Sequence, residues 1–187
     1  ICVSSFTSFD LMPLTSFCAY TTITSLLVLS RDKFYQKIIN GPEVQEGLYN
    51  APVVSNLAEA FYTCDYREFT KSLKILIGEM LNDPFCNEHA DYLCSQFRLK
   101  AYIQLLASFK SLTLEYLSEV FGLGSDFIEA DIARFIAKGL LNCKIDLVRG
   151  MIVISHSDKK KKEFNRFLEE SDRLIADVQY MERTVNE

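Results

Sequence analysis

Apolar residues recur at every third or fourth position through most of this chain and shift to alternate positions once, after Leu141. The first spacing is that of helices with one buried face, and the second is that of strands. An uncharged run from Leu11 to Ser30 contains Pro13, which a first helical turn tolerates, and stays apolar to Leu29. Arg31 to Ile39 predicts a second helix. Asn40-Gly41-Pro42 punctuates it, with residues that tolerate left-handed backbone followed by a proline. Glu43 to Tyr49 predicts a short helix, and Pro52 opens another through Leu57, Ala60 and Phe61. Tyr66 to Leu81 is periodic, with Phe69, Leu73, Leu76 and Met80 on one face, and Asn82-Asp83-Pro84 ends it. From about Asn87, Tyr92, Leu93, Phe97, Leu99, Tyr102, Leu105 and Leu106 mark a longer helix. Short helices joined by tight breaks form the pattern of stacked helical pairs in a solenoid. No strict period is present, so an irregular helical bundle is the alternative.

The stretch from Ser111 to Ile154 is sharper. Thr113 can cap a helix in which Leu114, Leu117, Val120 and Phe121 form a stripe, and Gly122 ends it. Ser125 can cap the next, with Asp126 and Glu129 near its N-terminal dipole and Ile128, Ile132, Phe135 and Ile136 facing inward. Gly139 is placed to close that helix. Leu141, Cys143 and Ile145 then alternate with polar neighbours, Arg149-Gly150 turns the chain, and Met151 to Ile154 returns. Two capped helices and a two-stranded hairpin make a winged helix.

Beyond it, Phe164, Phe167, Ser171, Leu174, Val178, Met181 and Val185 step by three and four, the a/d rhythm of a helix that buries a seam. Leu168 and Ile175 widen the stripe, and the other positions are charged or polar. Without an internal Gly or Pro, such a helix runs about 35–40 Å. Last in the chain, it either folds back on its own domain or meets a partner, and a bare stripe of this size favours the partner. The expected division is residues 1–110 helical repeat, 111–157 winged helix and 158–187 assembly helix.

Composition excludes more than it assigns. The chain has 187 residues, nearly half of them hydrophobic, with fourteen Phe and nine Tyr, and is therefore globular. It starts at Ile1 rather than Met, as a piece of a longer protein would. A net charge of -5 argues against a general affinity for nucleic acid or anionic membrane. The second helix of the winged unit carries Asp126, Glu129 and Asp131 against Arg134 and Lys138, a poor match for phosphates. Lys159 to Lys162 is the one basic run, flanked by Asp158 and Glu163, and reads as a solvated linker. The run from Leu11 to Ser30 carries too many Ser and Thr for a membrane span and reads as a core helix. Six scattered Cys fit reduced thiols, and Cys86, His89 and Cys94 fall short of a four-ligand metal set. There is no phosphate loop, nucleophile elbow or other reactive constellation. No catalytic residue, metal, cofactor or small-molecule substrate is expected.

Mainly α, with a helical-repeat bundle, a winged helix with a small β-hairpin and a long C-terminal helix, this pattern resembles the PCI domain. That module is shared by the proteasome lid, the COP9 signalosome and a translation-initiation complex. The resemblance is strongest to the PCI subunits of the lid, across Tyr102-Ile103-Gln104-Leu105-Leu106, Ser111-Leu112-Thr113-Leu114, Val120-Phe121-Gly122, Phe135-Ile136-Ala137-Lys138-Gly139 and Cys143-Lys144-Ile145-Asp146. Thr7-Ser8-Phe9-Asp10-Leu11 and Ile39-Asn40-Gly41-Pro42-Glu43 also fit it. It covers nearly the whole chain but only the C-terminal half of such a subunit. The resemblance implies a non-catalytic scaffold of cytoplasm and nucleus, with lid subunits of the PCI and MPN classes as partners and the base ATPases as further candidates. Winged helices in such assemblies lie side by side, and C-terminal helices gather in a bundle. Met151, Ile152, Val153 and Ile154 then become an expected edge for lateral strand pairing, because an exposed strand edge invites another chain. The alternatives are a PCI scaffold of the signalosome or of the initiation complex and, in a different class, a winged-helix nucleic-acid binder.

Overall fold

A computed structural model describes residues 6, 12–154, 166–168, 170–171 and 173–175 of the chain. Extended backbone at Pro13 leads into α1 (Leu14–Val28), which buries Cys18, Ile23 and Leu26. Its polar residues are absorbed locally: Thr22 Oγ1 donates to the Cys18 carbonyl at 2.8 Å, and Thr24 Oγ1 to the Tyr20 carbonyl. Among the described residues, no helix is long and apolar enough to cross a membrane.

The helix expected over residues 31–39 is α2 (Arg31–Phe34) running on into a π turn, Tyr35–Ile39. The left-handed stop expected at Asn40-Gly41 is absent, since Gly41 has a φ of -78°. The break comes instead from Pro42, which starts α3 (Pro42–Leu48) at its first position. Pro52 does the same for α4 (Pro52–Thr63). Cys64 then takes a left-handed backbone, φ +64°, and Asp65 caps α5 (Tyr66–Leu81) by accepting from the Glu68 N–H at 3.1 Å. A 3₁₀ turn, Asn87–His89, leads into α6 (Ala90–Leu106). Lys100 of α6 reaches back to the open carbonyls at the end of α1, donating to Leu26, to Leu27 at 3.1 Å and to Leu29 at 3.0 Å. A cation there meets the negative end of the helix dipole.

The winged unit has one more strand than the sequence pattern predicts. β1 (Ser111–Thr113), β2 (Cys143–Asp146) and β3 (Met151–Ile154) form an antiparallel sheet ordered β1-β3-β2. Ser111 pairs with Val153 and Thr113 with Met151, and Cys143 pairs with Ile154 and Asp146 with Met151 on the other side. β1 is short enough that only Leu112, buried between two exposed residues, marks it as a strand. Thr113 ends this strand and also caps α7 (Leu114–Phe121), its side chain accepting from Tyr116 N–H at 3.2 Å. Gly122 closes α7 at φ +64°.

The expected cap at Ser125 is corrected. Gly124 holds the capping position and Ser125 is already the first residue of α8 (Ser125–Ala137), its hydroxyl turned to Asp126. At the far end the Leu140 N–H bonds to the Phe135 carbonyl and that of Gly139 to the Ile136 carbonyl, with Gly139 at φ +70°. This is the paired capping pattern that glycine makes possible.

One apolar core runs through both parts. Phe61 contacts Phe34 and Phe69 in the helical part. Across the junction Phe121 meets Tyr66 and Tyr102, and Tyr102 meets Phe135. α5 packs against α4, α6 and α7, so the winged unit is seated directly on the helical part.

Candidate protein-interaction site

The C-terminal helix is described at positions 166–168, 170–171 and 173–175, all helical. At 100° per residue, Phe167, Leu168, Ser171, Leu174 and Ile175 fall within an arc of about 120°. Their side chains do not turn inward: Phe167 and Leu174 are each 65 % exposed, Ile175 56 % and Leu168 45 %. Ser171, in the middle of the stripe, donates its hydroxyl to the Phe167 carbonyl at 2.8 Å. The polar atom is thereby satisfied within the helix, and the face stays suited to apolar contact. Off the stripe, Arg166 Nε pairs with Glu170 Oε1 at 3.1 Å, an exposed i,i+4 pair that supports the helix weakly. Phe164, Val178, Met181 and Val185, the other predicted members of the stripe, lie outside the described residues, as do Lys159 to Lys162.

The second predicted surface, the edge at Met151, Ile152, Val153 and Ile154, is not an edge. β3 lies between β1 and β2 and is paired on both sides, because Ser111–Thr113 occupies the flank that the sequence left open. Ile152 is fully buried in the core. Val153 is 46 % exposed, but it presents a side chain on the sheet face rather than free backbone. The outer strands of the described sheet are β1 and β2, and any strand addition has to use one of those. The hairpin apex is ordered by Asp146, whose Oδ1 accepts from the Val148 N–H at 3.1 Å and the Arg149 N–H at 3.2 Å.

The acidity of α8 also needs correction. Asp131 is only 2 % exposed and does not contribute to a surface. On α8 and at its C-terminal cap, Asp126, Arg134 and Lys138 are exposed and Glu129 is half-buried, so the charges are balanced rather than acidic. Such a surface lacks the excess of cations that phosphate neutralisation requires. Neither Asp131 nor its partner, Arg98, is marked by sequence pattern: periodicity places both near inward faces, and the charge then suggests solvent.

A family model described as the PCI domain matches residues 73–156, from within α5 to just past β3. Over 184 residues, 98 % of this chain, the sequence is 36 % identical to the 26S proteasome non-ATPase regulatory subunit 6 of Dictyostelium discoideum, of which it covers 48 %. It is 30 % identical, over the same share of this chain, to the subunit 6 homolog of Arabidopsis thaliana, again covering 48 % of that protein. Against the 26S proteasome regulatory subunit RPN7 of Saccharomyces cerevisiae it is 29 % identical over 95 % of this chain and 42 % of the other. The chain thus spans about half the length of the curated relatives it matches.

Proposed function

From the premise that this chain carries a PCI domain, we propose that it is a non-catalytic scaffold subunit of the 26S proteasome regulatory lid, supporting ubiquitin-dependent protein degradation. One observation carries the reading: likeness along 98 % of the chain to proteins named as 26S proteasome regulatory subunits. The names of those relatives favour the 26S proteasome over the signalosome and the initiation complex.

The chain divides by role into a helical-repeat part to residue 110, a winged helix over 111–157 and an assembly helix over 158–187. The C-terminal helix enters a bundle with helices of other subunits through Phe164, Phe167, Leu168, Ser171, Leu174, Ile175, Val178, Met181 and Val185. The exposure of Phe167, Leu168, Leu174 and Ile175 supports this, because such a stripe is left unburied by its own domain. The winged helix associates side by side with neighbours, through an outer strand of the sheet. Partners are lid subunits of the PCI and MPN classes, with the base ATPases adjoining, in cytoplasm and nucleus. Nucleic acid, membrane and small-molecule substrates have no part in it.

The test is purification of the tagged chain from cells of its source organism, beside a version ending at Lys162. Recovery of proteasome lid subunits by the full chain alone supports the tail as the assembly element. Equal recovery by both versions moves the interface to the winged helix, and recovery of nucleic acid without lid subunits overturns the scaffold reading.

A further inference from the structure

Asp131 is the one charged side chain in the interior among the described residues, and it comes from α8. Arg98, from α6, holds it with two nitrogens: Nε donates to Oδ2 at 2.8 Å and Nη2 to Oδ1 at 3.3 Å. The remaining nitrogen, Nη1, reaches Cys94 Sγ at 2.7 Å, one turn back on α6. The guanidinium also lies over the ring of Phe127, 5.5 Å from its centroid and one turn before Asp131 on α8. All these contacts come from α6 and α8. Arg134 Nη1 is a second cation 3.9 Å from Oδ1, but its side chain is mostly in solvent. Burial pulls the pKa of Arg98 down, yet the hydrogen bond to Asp131 leads the influences that raise it above its ordinary value.

A buried ion pair is a weak stabiliser, since taking two charges out of water costs about as much as their attraction returns. Its geometry, however, is strict. The fork of the guanidinium matches the carboxylate in one relative placement of the two helices. The ring contacts across the same junction, Tyr66 and Tyr102 with Phe121 and Tyr102 with Phe135, carry no paired donors and acceptors that must be matched. We infer that the Arg98–Asp131 pair is an orientation latch, fixing the pose of α8 and the wing on the helical part rather than adding net stability.

The test compares the full chain with Arg98→Met/Asp131→Leu, with each single substitution, and with Arg98→Lys. Thermal melting reports stability, and amide hydrogen exchange read by mass spectrometry reports order within α8 and β2–β3. The double variant is expected to melt at or above the temperature of the unaltered chain, while each single variant melts well below it. In the same double variant, amides of α8 and the hairpin should exchange about tenfold faster, with those of α4 and α5 unchanged. Arg98→Lys keeps the charge without the fork, so it should melt above Arg98→Met but leave α8 exchanging fast. Unaltered exchange in the double variant would assign the pose to apolar packing. A double variant melting as low as the singles would make the pair an ordinary stabilising contact. Full protection of α8 in Arg98→Lys would remove the role of the fork. Any of these results overturns the latch.

Discussion

Two glycines show how single residues set the geometry of this chain for different reasons. At Gly139 an added Cβ would meet nothing within 4 Å, so any penalty lies in the backbone, whose φ is +70°. Gly139→Val is expected to lower stability by about 1–2 kcal/mol, the cost of left-handed backbone for a residue with a Cβ. Gly139→Asn should lose less, because asparagine tolerates that region. A melting temperature unchanged in the valine variant would contradict the cap. At Gly47 the backbone is ordinary and space decides: a Cβ there would collide with Cys18 Sγ, where α3 crosses α1. Gly47→Ala should destabilise by about 1–3 kcal/mol through overpacking. Gly78→Ala, on α5 with nothing within 4 Å, should stabilise by about 0.5–1 kcal/mol. Urea denaturation of the pair should move the midpoint in opposite directions.

At the scale of elements, the end of α1 depends on a residue seventy positions away. Lys100→Met removes the donor to the Leu26, Leu27 and Leu29 carbonyls while keeping the aliphatic stem. A loss of about 1–2 kcal/mol is expected, with faster amide exchange at the last turn of α1; unaltered exchange there would show that water or backbone satisfies those carbonyls unaided. Nothing in local pattern announces this contact, and the same holds for Arg98 with Asp131. Elements with long periodic faces were legible, as α5 shows: its predicted span, Tyr66 to Leu81, matches the structure. Pro52 marked a helix start for the reason expected, whereas Pro42, read as part of the stop of the preceding helix, is itself the first residue of α3. What escaped was short or long-range. β1 has three residues and one buried side chain, too little for a period, and its pairing with β3 spans about forty residues of chain. That omission is also why Met151 to Ile154 read as an edge. Ser125 and Gly124 show a smaller limit, since composition alone rarely fixes a cap to the residue.

For the whole molecule, burial of ionisable groups predicts alkaline sensitivity. Burial pushes the Cys18, Cys86, Cys94 and Cys143 thiols above the ordinary value of 9.0. Burial, with Asp83 adding to it, raises Tyr20 from 10.0 to about 12, and burial also raises Tyr66 and Tyr102. Each of these acids holds its proton longer in the folded chain, so its contribution to stability is intact below the unfolded pKa and lost as pH climbs through the folded one. Cys64 and Lys100 are lowered and act in the opposite sense, two groups against seven. The melting temperature should therefore fall steadily from about pH 9 to about pH 12, and a flat profile would contradict the burial of these groups. A heptad stripe is a local pattern that a sequence can carry by itself, and its described apolar residues, Phe167, Leu168, Leu174 and Ile175, are exposed. The most direct test of the assembly reading is sedimentation of the tagged chain from cell extract, unaltered and as Phe167→Asp/Leu174→Asp. The account predicts that the unaltered chain migrates with proteasome lid subunits, while the variant migrates alone and melts at an unchanged temperature. Co-migration of the variant with the lid, or collapse of its fold, would show that this helix face is not the assembly surface.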